Sequence, residues 1–156
     1  MWTERTIDER ATHILLVEDD DVDAEAILRA FRKHKITNPC TLVKNGLEAL
    51  RLLRGQGPES LQQPYIILLD INMPQMNGFE FLEELRKDEN LKRSIVFVLT
   101  TSNRNEDKMA AYDKQIAGYM LKSHAGKDYG DLVSLLESYS RVVEFAPEAD
   151  LFSGPS

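Results

Sequence analysis

The stretch YIILLDINMPQMNG, residues 65–78, joins an uninterrupted apolar run to a single carboxylate and then to a turn. A run of this kind, from Tyr65 to Leu69, is typical of a strand whose two faces are both covered in a parallel sheet. The Met-Pro and Asn-Gly pairs that follow end the strand. Asp70 is therefore predicted at the carboxyl edge of a buried strand, the edge at which open α/β sheets build their sites.

Strand-like and helix-like segments alternate on both sides of this stretch. Short apolar runs predict strands over 13–17, 40–44, 65–70, 94–100 and 118–121. Amphipathic segments predict helices over 21–35, 46–55, 78–90, 105–115 and 128–146. This order favours a flavodoxin-like (βα)5 three-layer sandwich, an α/β fold whose parallel sheet has the strand order 2-1-3-4-5. Residues 12–146 are predicted to form the domain, with an N-terminal arm at 1–11 and a flexible C-terminal tail at 147–156.

The composition and the cysteine count argue against several classes of partner and location. The chain has 26 acidic and 19 basic residues and a formal net charge of −7, which argues against direct nucleic-acid binding through bulk charge. Its apolar runs are too short to span a membrane, and its charged N-terminus lacks a signal core. Cys40 is the only cysteine, so no internal disulfide can form, and a cytoplasmic location is the simplest prediction. The same residue is expected to be a buried strand position, not a reactive thiol.

The predicted topology brings polar side chains from four strands to one edge of the sheet. Glu18 and Asp19 follow the first strand, Asp70 the third and Lys122 the fifth, while Thr100 ends the fourth. Crowded carboxylates raise each other's pKa, so the group needs positive charge, which Mg²⁺ and the lysine can supply. Together with a hydroxyl, these groups suit phosphoryl transfer, with Asp70 as the nucleophile that forms an acyl phosphate.

Taken singly, the same residues have ordinary structural explanations. Asp20, Asp21 and Asp23 fit the cap and first turn of the first helix, with Asp21 as the predicted cap. Glu18 and Asp19 could be further helix-start acids, and the acid of the opening stretch could cap a turn. Because the marked residues stand at strand ends that meet, a shared site explains them better than coincidence does.

Four motifs resemble the receiver domain of two-component response regulators, the CheY-like fold. They are ILLVEDD at 14–20, IILLDINMPQMNGFEFL at 66–82, VFVLTTS at 96–102 and GYMLKS at 118–123. The resemblance runs from residue 12 to about residue 140. It implies a signalling switch that catalyses its own phosphoryl uptake and loses the phosphoryl group slowly. Such a switch is not an enzyme in the usual sense.

The resemblance also implies a role for each matched residue. Asp70 is the expected phosphoryl acceptor, Thr100 and Lys122 are expected to bind the phosphoryl group, and Tyr119 is the aromatic expected to rotate inward. Mg²⁺ is expected to be held by Glu18, Asp19, Asp70 and the backbone carbonyl of Asn72. A static, half-buried strand aromatic stays open as the alternative for Tyr119.

Two positions depart from the family pattern. Ser123 follows Lys122, where the family usually has proline after a cis peptide bond, and a cis Lys-Ser bond would cost about 3 kcal/mol. Either a strained cis bond or a trans loop path is therefore expected, and the reach of Lys122 depends on which is present. Glu18 stands where aspartate is usual, a change that keeps a metal-binding carboxylate.

A narrower resemblance concerns stand-alone receivers associated with bacteriophytochrome kinases. The motifs LTTS and LKS and the lack of an output domain suggest it. It implies a sensor histidine kinase as phosphoryl donor, and a downstream protein or phosphotransfer domain as the target of a face made by helix 4, strand 5 and helix 5. It also implies a homodimer through the C-terminal helix, where an apolar stripe looks wider than one core contact needs: Leu132, Leu135, Leu136, Tyr139, Val142, Val143 and Phe145.

Three other functions are consistent with parts of the sequence. A haloacid-dehalogenase-like phosphatase would need a second aspartate at position 72, where Asn72 stands. A flavodoxin-like cofactor carrier would need a phosphate-cradling loop after the first strand, but the acids there would repel a phosphate. A degenerate receiver that serves only as a scaffold is favoured by Ser123 alone.

Overall fold

The computed structural model describes residues 12–73 and 75–147. The strands are β1 (His13–Val17), β2 (Cys40–Val43), β3 (Tyr65–Leu69), β4 (Ile95–Thr100) and β5 (Gly118–Leu121). The helices are α1 (Asp21–Lys33), α2 (Gly46–Leu53), α3 (Gly78–Lys87), α4 (Asn105–Tyr112) and α5 (Gly130–Val142), and two short 3-10 turns precede α5. The predicted arm at 1–11 and most of the predicted tail lie outside the described residues.

The strands form one parallel sheet in the order β2-β1-β3-β4-β5, which confirms the predicted flavodoxin-like topology. Alternate side chains of β1, β3 and β4 point to opposite faces. One face packs on α2, α3 and α4 through residues such as Leu50, Phe81 and Ala111. The other packs on α1 and α5 through residues such as Ile27 and Leu136. The three-layer sandwich therefore encloses two cores, one on each side of the sheet.

The strand register sets where the site lies. Val17 of β1 is aligned with Leu69 of β3, so the residues that follow them, Glu18 and Asp70, emerge side by side. Thr100 of β4 is aligned with Leu121 of β5, one residue before the lysine. β3 is buried throughout and β4 is buried from its second residue to Thr100, which holds these positions on a rigid support.

The start of α1 differs from the prediction, because the cap is Asp20 and not Asp21. Asp20 has an extended backbone, with φ −83° and ψ 116°, and its Oδ1 accepts a hydrogen bond from the backbone N–H of Asp23 at 2.9 Å. Asp21 is already helical and exposed, and it pairs with Lys44. The chain has three consecutive aspartates, Asp19 to Asp21, which are equivalent as caps by composition, and the middle one takes the cap position.

The last helix is shorter than predicted at both ends. Asp128 and Tyr129 adopt left-handed backbone conformations, with φ values of 53° and 60°, so α5 begins only at Gly130. At the other end Val143 is extended, with ψ 136°, and Phe145 folds back to pack edge-on against Tyr139 with ring centroids 6.1 Å apart. The helices α1, α2, α3 and α4 also end two or three residues before their predicted limits.

Arg86 fastens the amino-terminal ends of β4 and β5. Its guanidinium donates hydrogen bonds of 2.7–2.8 Å to four backbone carbonyls, those of Lys92, Ser94, Lys114 and Gln115. These carbonyls precede the two strands in the chain. One side chain on α3 therefore closes two loops at the edge of the sheet opposite to Asp70.

Two further expectations concern the edge strand and the membrane. Cys40 lies on β2 as predicted but is partly and not fully buried, and its burial raises the pKa of the thiol to about 12, which disfavours the reactive thiolate. No helix within the described ranges has the length and apolar character needed to cross a bilayer.

Gly78→Ala should destabilise the fold by about 1–3 kcal/mol through overpacking. A Cβ at this position would stand 2.5 Å from the Cα of Ile71 and 3.0 Å from the carbonyl oxygen of Asp70, and neither backbone atom can move aside cheaply. The free energy of unfolding in urea measures the effect. Gly57→Ala is the matched control, because a Cβ there meets no atom within 4 Å, and it should change stability by less than about 0.5 kcal/mol. Equal effects of the two substitutions would contradict the packing argument.

Candidate functional site

Three carboxylates meet at the carboxyl edge of the sheet. Oxygen atoms of Glu18, Asp19 and Asp70 all lie within 4.8 Å of one another. Glu18 and Asp70 are buried at the ends of β1 and β3, and Asp19 is half-buried. The convergence predicted from the strand ends is thus present. Hard divalent cations prefer carboxylate oxygens, so the donor set fits a cation of the Mg²⁺ or Mn²⁺ type.

Burial makes the negative charge of this cluster unfavourable unless a cation compensates it. Desolvation, opposed by the hydrogen bond from Lys122 and assisted by the nearby charge of Asp70, raises the pKa of Glu18 to about 7. The carboxylate cluster therefore favours any cation that can enter and neutralise it.

Lys122 reaches the site on a trans path. Among the described residues the cis peptide bond is Gln63–Pro64, so the Lys122–Ser123 bond is trans. Lys122 begins a short 3-10 turn, Lys122–His124, directly after β5. Its Nζ lies 2.7 Å from Asp23 Oδ2, 2.8 Å from Glu18 Oε1 and 3.3 Å from Asp70 Oδ2. Lys122 therefore reaches Asp70 although Ser123 follows it in place of proline.

The lysine is held as a cation. Burial would lower the pKa of Lys122, but its hydrogen bonds to Asp23 and Glu18, with the charge of Asp70, raise that pKa above its ordinary value. A fixed ammonium therefore stands beside Asp70 throughout the neutral range.

Two further donors contact Asp70. The hydroxyl of Thr100, which is fully buried, donates to Oδ1 at 3.1 Å, and the backbone N–H of Asn72 donates to the same oxygen at 3.0 Å. The expected metal role of the Asn72 carbonyl stays a prediction. Thr101, the next residue, is exposed, in keeping with the alternation of a strand.

Tyr119 belongs to the same edge, one loop away from the carboxylates. Its hydroxyl donates to the carbonyl of Ser102 at 2.9 Å, and its half-buried ring packs on the core. Ser102 also donates its N–H to Thr100 Oγ1 at 3.4 Å and its hydroxyl to Asp107 Oδ2 at 2.5 Å. Ser102 thus connects the Thr100 hydroxyl, the Tyr119 ring and the first turn of α4. Whether Tyr119 rotates stays a prediction.

Asp23 also belongs to this site, although its sequence position predicted only a role in the first turn of a helix. It does lie in the first turn of α1, yet its carboxylate makes the shortest contact to Lys122. The sequence carries no separate signal for this contact, because an acid in the first turn of a helix already has a structural explanation.

The comparison with known families is decisive. The profile of the response regulator receiver domain matches residues 14–134. The chain belongs to the response regulator receiver family. Both its fold and its acidic site fit this membership.

The relatives of this receiver include the stand-alone response regulators Rcp1 and RcpA. Response regulator Rcp1 of Synechocystis is 36% identical over 127 residues, covering 81% of this chain and 86% of the relative. The structure of phosphorylated RcpA, a cyanobacterial phytochrome response regulator, superposes with a TM-score of 0.77 at 31% identity, covering 87% of this chain and 99% of that one. The Mn²⁺-bound structure of Rcp1 gives a TM-score of 0.75 at 34% identity, with 87% and 99% coverage.

In metal-free receiver, raising the pH from about 5 to about 7.5 should cost stability through Glu18. Its folded pKa of about 7 exceeds the ordinary value of 4.5, so the native state binds more protons than the unfolded state in this window. The Glu18 contribution is therefore most favourable below pH 4.5 and is lost as the pH rises through 7. Urea unfolding in EDTA gives the free energy of unfolding at several pH values for the wild type and for Glu18→Gln. Between pH 5 and 7.5 the wild type should lose about 2 kcal/mol more than the variant. Identical slopes for both proteins would contradict the assignment.

Proposed function

We propose that this receiver is a phosphorylation switch in which Asp70 accepts a phosphoryl group from a histidine kinase. The observation that carries the proposal is the set of donors on the two Asp70 oxygens. Thr100 contacts Oδ1 and Lys122 contacts Oδ2, and both lie beside the three-carboxylate cluster. This arrangement offers a nucleophile, a metal position and two groups for phosphoryl oxygens within one small volume.

The chemical step follows from these groups. A carboxylate oxygen of Asp70 forms a bond to phosphorus while the bond between phosphorus and the imidazole nitrogen of the donor phosphohistidine breaks. The electron pair of the broken bond stays on that nitrogen, which takes up a proton. Mg²⁺, held by Glu18, Asp19, Asp70 and the Asn72 carbonyl, would neutralise charge on the phosphoryl oxygens.

The protein groups stabilise what the transfer creates. Lys122, already desolvated, can exchange a carboxylate partner for a phosphoryl oxygen, and Thr100 can donate its hydroxyl to another. Water attack on the acyl phosphate would later return Asp70 and inorganic phosphate. The receiver is in this sense a switch that catalyses its own uptake and slow loss, not an enzyme acting on a separate substrate.

The readout is proposed to run through Ser102. When Thr100 turns toward the phosphoryl group, its contact with the Ser102 N–H changes, and Ser102 also holds Tyr119 and α4. The face made by α4, β5 and α5 would then change its affinity for a downstream protein or a phosphotransfer domain. Because Rcp1 and RcpA resemble this chain, and RcpA is a phytochrome response regulator, we propose a bacteriophytochrome-type kinase as the donor.

Acetyl phosphate with Mg²⁺ should add one phosphoryl group to the wild type, measured by intact mass. Asp70→Asn should give no adduct, because the nucleophile is gone, and EDTA should abolish the wild-type adduct. Thr100→Val should slow uptake by about tenfold or more, since a buried donor to the reacting group is lost. Thr101→Val is the matched control, an exposed neighbour that should leave the rate unchanged.

An adduct that persists in Asp70→Asn would move the acceptor elsewhere and refute the assignment. No wild-type adduct from acetyl phosphate or from a kinase phosphohistidine would instead favour the scaffold function.

We also propose a homodimer through the apolar residues that α5 leaves uncovered. Leu132 and Leu136 are buried in the core, but Leu135 is 39% and Val142 is 73% exposed on the same helix. Val142→Glu should shift the protein toward monomer by at least about tenfold in dissociation constant, because a carboxylate would be desolvated in the interface.

Light scattering after size exclusion measures the shift. Leu47→Glu is the control, since Leu47 is 42% exposed on α2, which packs on the face of the sheet opposite to α5. A monomeric wild type at high concentration, or equal effects of both substitutions, would contradict the proposed interface.

A further inference from the structure

We propose that Asp23 is a positioning residue. It is the counter-ion that remains on Lys122 when a divalent cation binds, so that a fixed ammonium and the cation can occupy one site. The inference rests on the proposed function only in assuming a divalent cation at the carboxylate cluster. It assigns to an acid of α1 a task beyond starting a helix.

The geometry singles out Asp23 among the partners of Lys122. Its Oδ2 makes the shortest contact to Nζ, 2.7 Å, against 2.8 Å for Glu18 and 3.3 Å for Asp70. The Lys122 side chain is 8% exposed, so water cannot replace a lost partner. Asp23 itself is 32% exposed, which makes its desolvation cheaper than that of the two buried acids.

The partners of Lys122 also divide by their second task. Glu18 and Asp70 both belong to the cluster that could hold a cation, whereas Asp23 does not. An ion bound there would draw their oxygens and repel the nearby ammonium. Asp23 is the acid that can stay on Lys122 when the other two are engaged.

The backbone around this pair is braced from both sides. The N–H of Asp23 is held by Asp20 Oδ1, which fixes the first turn of α1. The loop after β5 is tied to the same helix by an ion pair of 3.4 Å between Lys33 and Asp128. Because the Lys122–Ser123 bond is trans, the lysine arrives here without the proline turn usual for the family, and the contact with α1 takes over its positioning.

Mn²⁺ is the probe for a double-mutant cycle. Binding of Mn²⁺ to the full-length protein, followed by the electron paramagnetic resonance of the free ion, gives a dissociation constant without any phosphoryl chemistry. The four proteins are wild type, Asp23→Asn, Lys122→Met and the double variant, each checked for folding by circular dichroism. With Lys122 present, Asp23→Asn should weaken Mn²⁺ binding about fivefold or more. The ammonium would then pair only with Glu18 and Asp70, and it would compete with the ion for their oxygens.

With Lys122 replaced by methionine, the same Asp23→Asn change should alter the dissociation constant by less than about twofold. Equal weakening in both backgrounds would show that Asp23 acts on the ion directly, or through helix stability, and would overturn the proposal. Unchanged or tighter binding of the Asp23→Asn protein would overturn it as well. Asp21→Asn is the matched control, the same charge change in the same turn, where the acid pairs with Lys44, and it should leave binding unchanged.

The cycle and the proposed function can fail separately. If the wild type binds Mn²⁺ but takes no phosphoryl group from acetyl phosphate, the switch is refuted while the cycle still decides the role of Asp23. If uptake occurs but the coupling is absent, the switch stands and Asp23 returns to being a helix-start acid.

Discussion

The ammonium of Lys122, shared among Glu18, Asp23 and Asp70, is the interaction on which the rest of the site depends. Carboxylates taken out of water at the end of a sheet are unfavourable unless a cation compensates them, and breaking such a group by removing one partner leaves an uncompensated buried charge. The protein supplies one fixed positive charge beside three clustered carboxylates, so the negative charge of the site is only partly compensated. Such a site attracts a further cation, as the proposed function requires.

The sheet turns this electrostatic requirement into geometry. Strands β1, β3, β4 and β5 each deliver one element of the site from the same edge, and the register fixes their relative heights to within a residue. The core on either side contains the largest fully buried side chains, such as Phe81, Ile27 and Leu68, so the strand ends have little freedom to shift. The loops that follow them can therefore respond to a ligand without disturbing the frame.

The strands and the site were largely predictable from the sequence, because fully apolar runs bounded by acids and turns leave few alternatives. All five strands lie where the runs place them, to within one residue. The helix ends were less predictable, since they depend on backbone conformations that composition does not reveal. The left-handed Asp128 and Tyr129 delay α5, and three consecutive aspartates gave no basis for choosing Asp20 over Asp21 as a cap. Asp23 was missed for a related reason: an acid in a first helical turn already had an explanation, and only the fold shows that Lys122 stands against it.

Arg86 anchors the end of the sheet that lies away from the site. By binding the carbonyls that lead into β4 and β5, it clamps both strands at the edge opposite to Asp70. The loops that lead into both strands are therefore tied to α3 and, through it, to each other by charge-assisted hydrogen bonds. A rearrangement of the loops at the site end of the sheet would leave this anchored end in place.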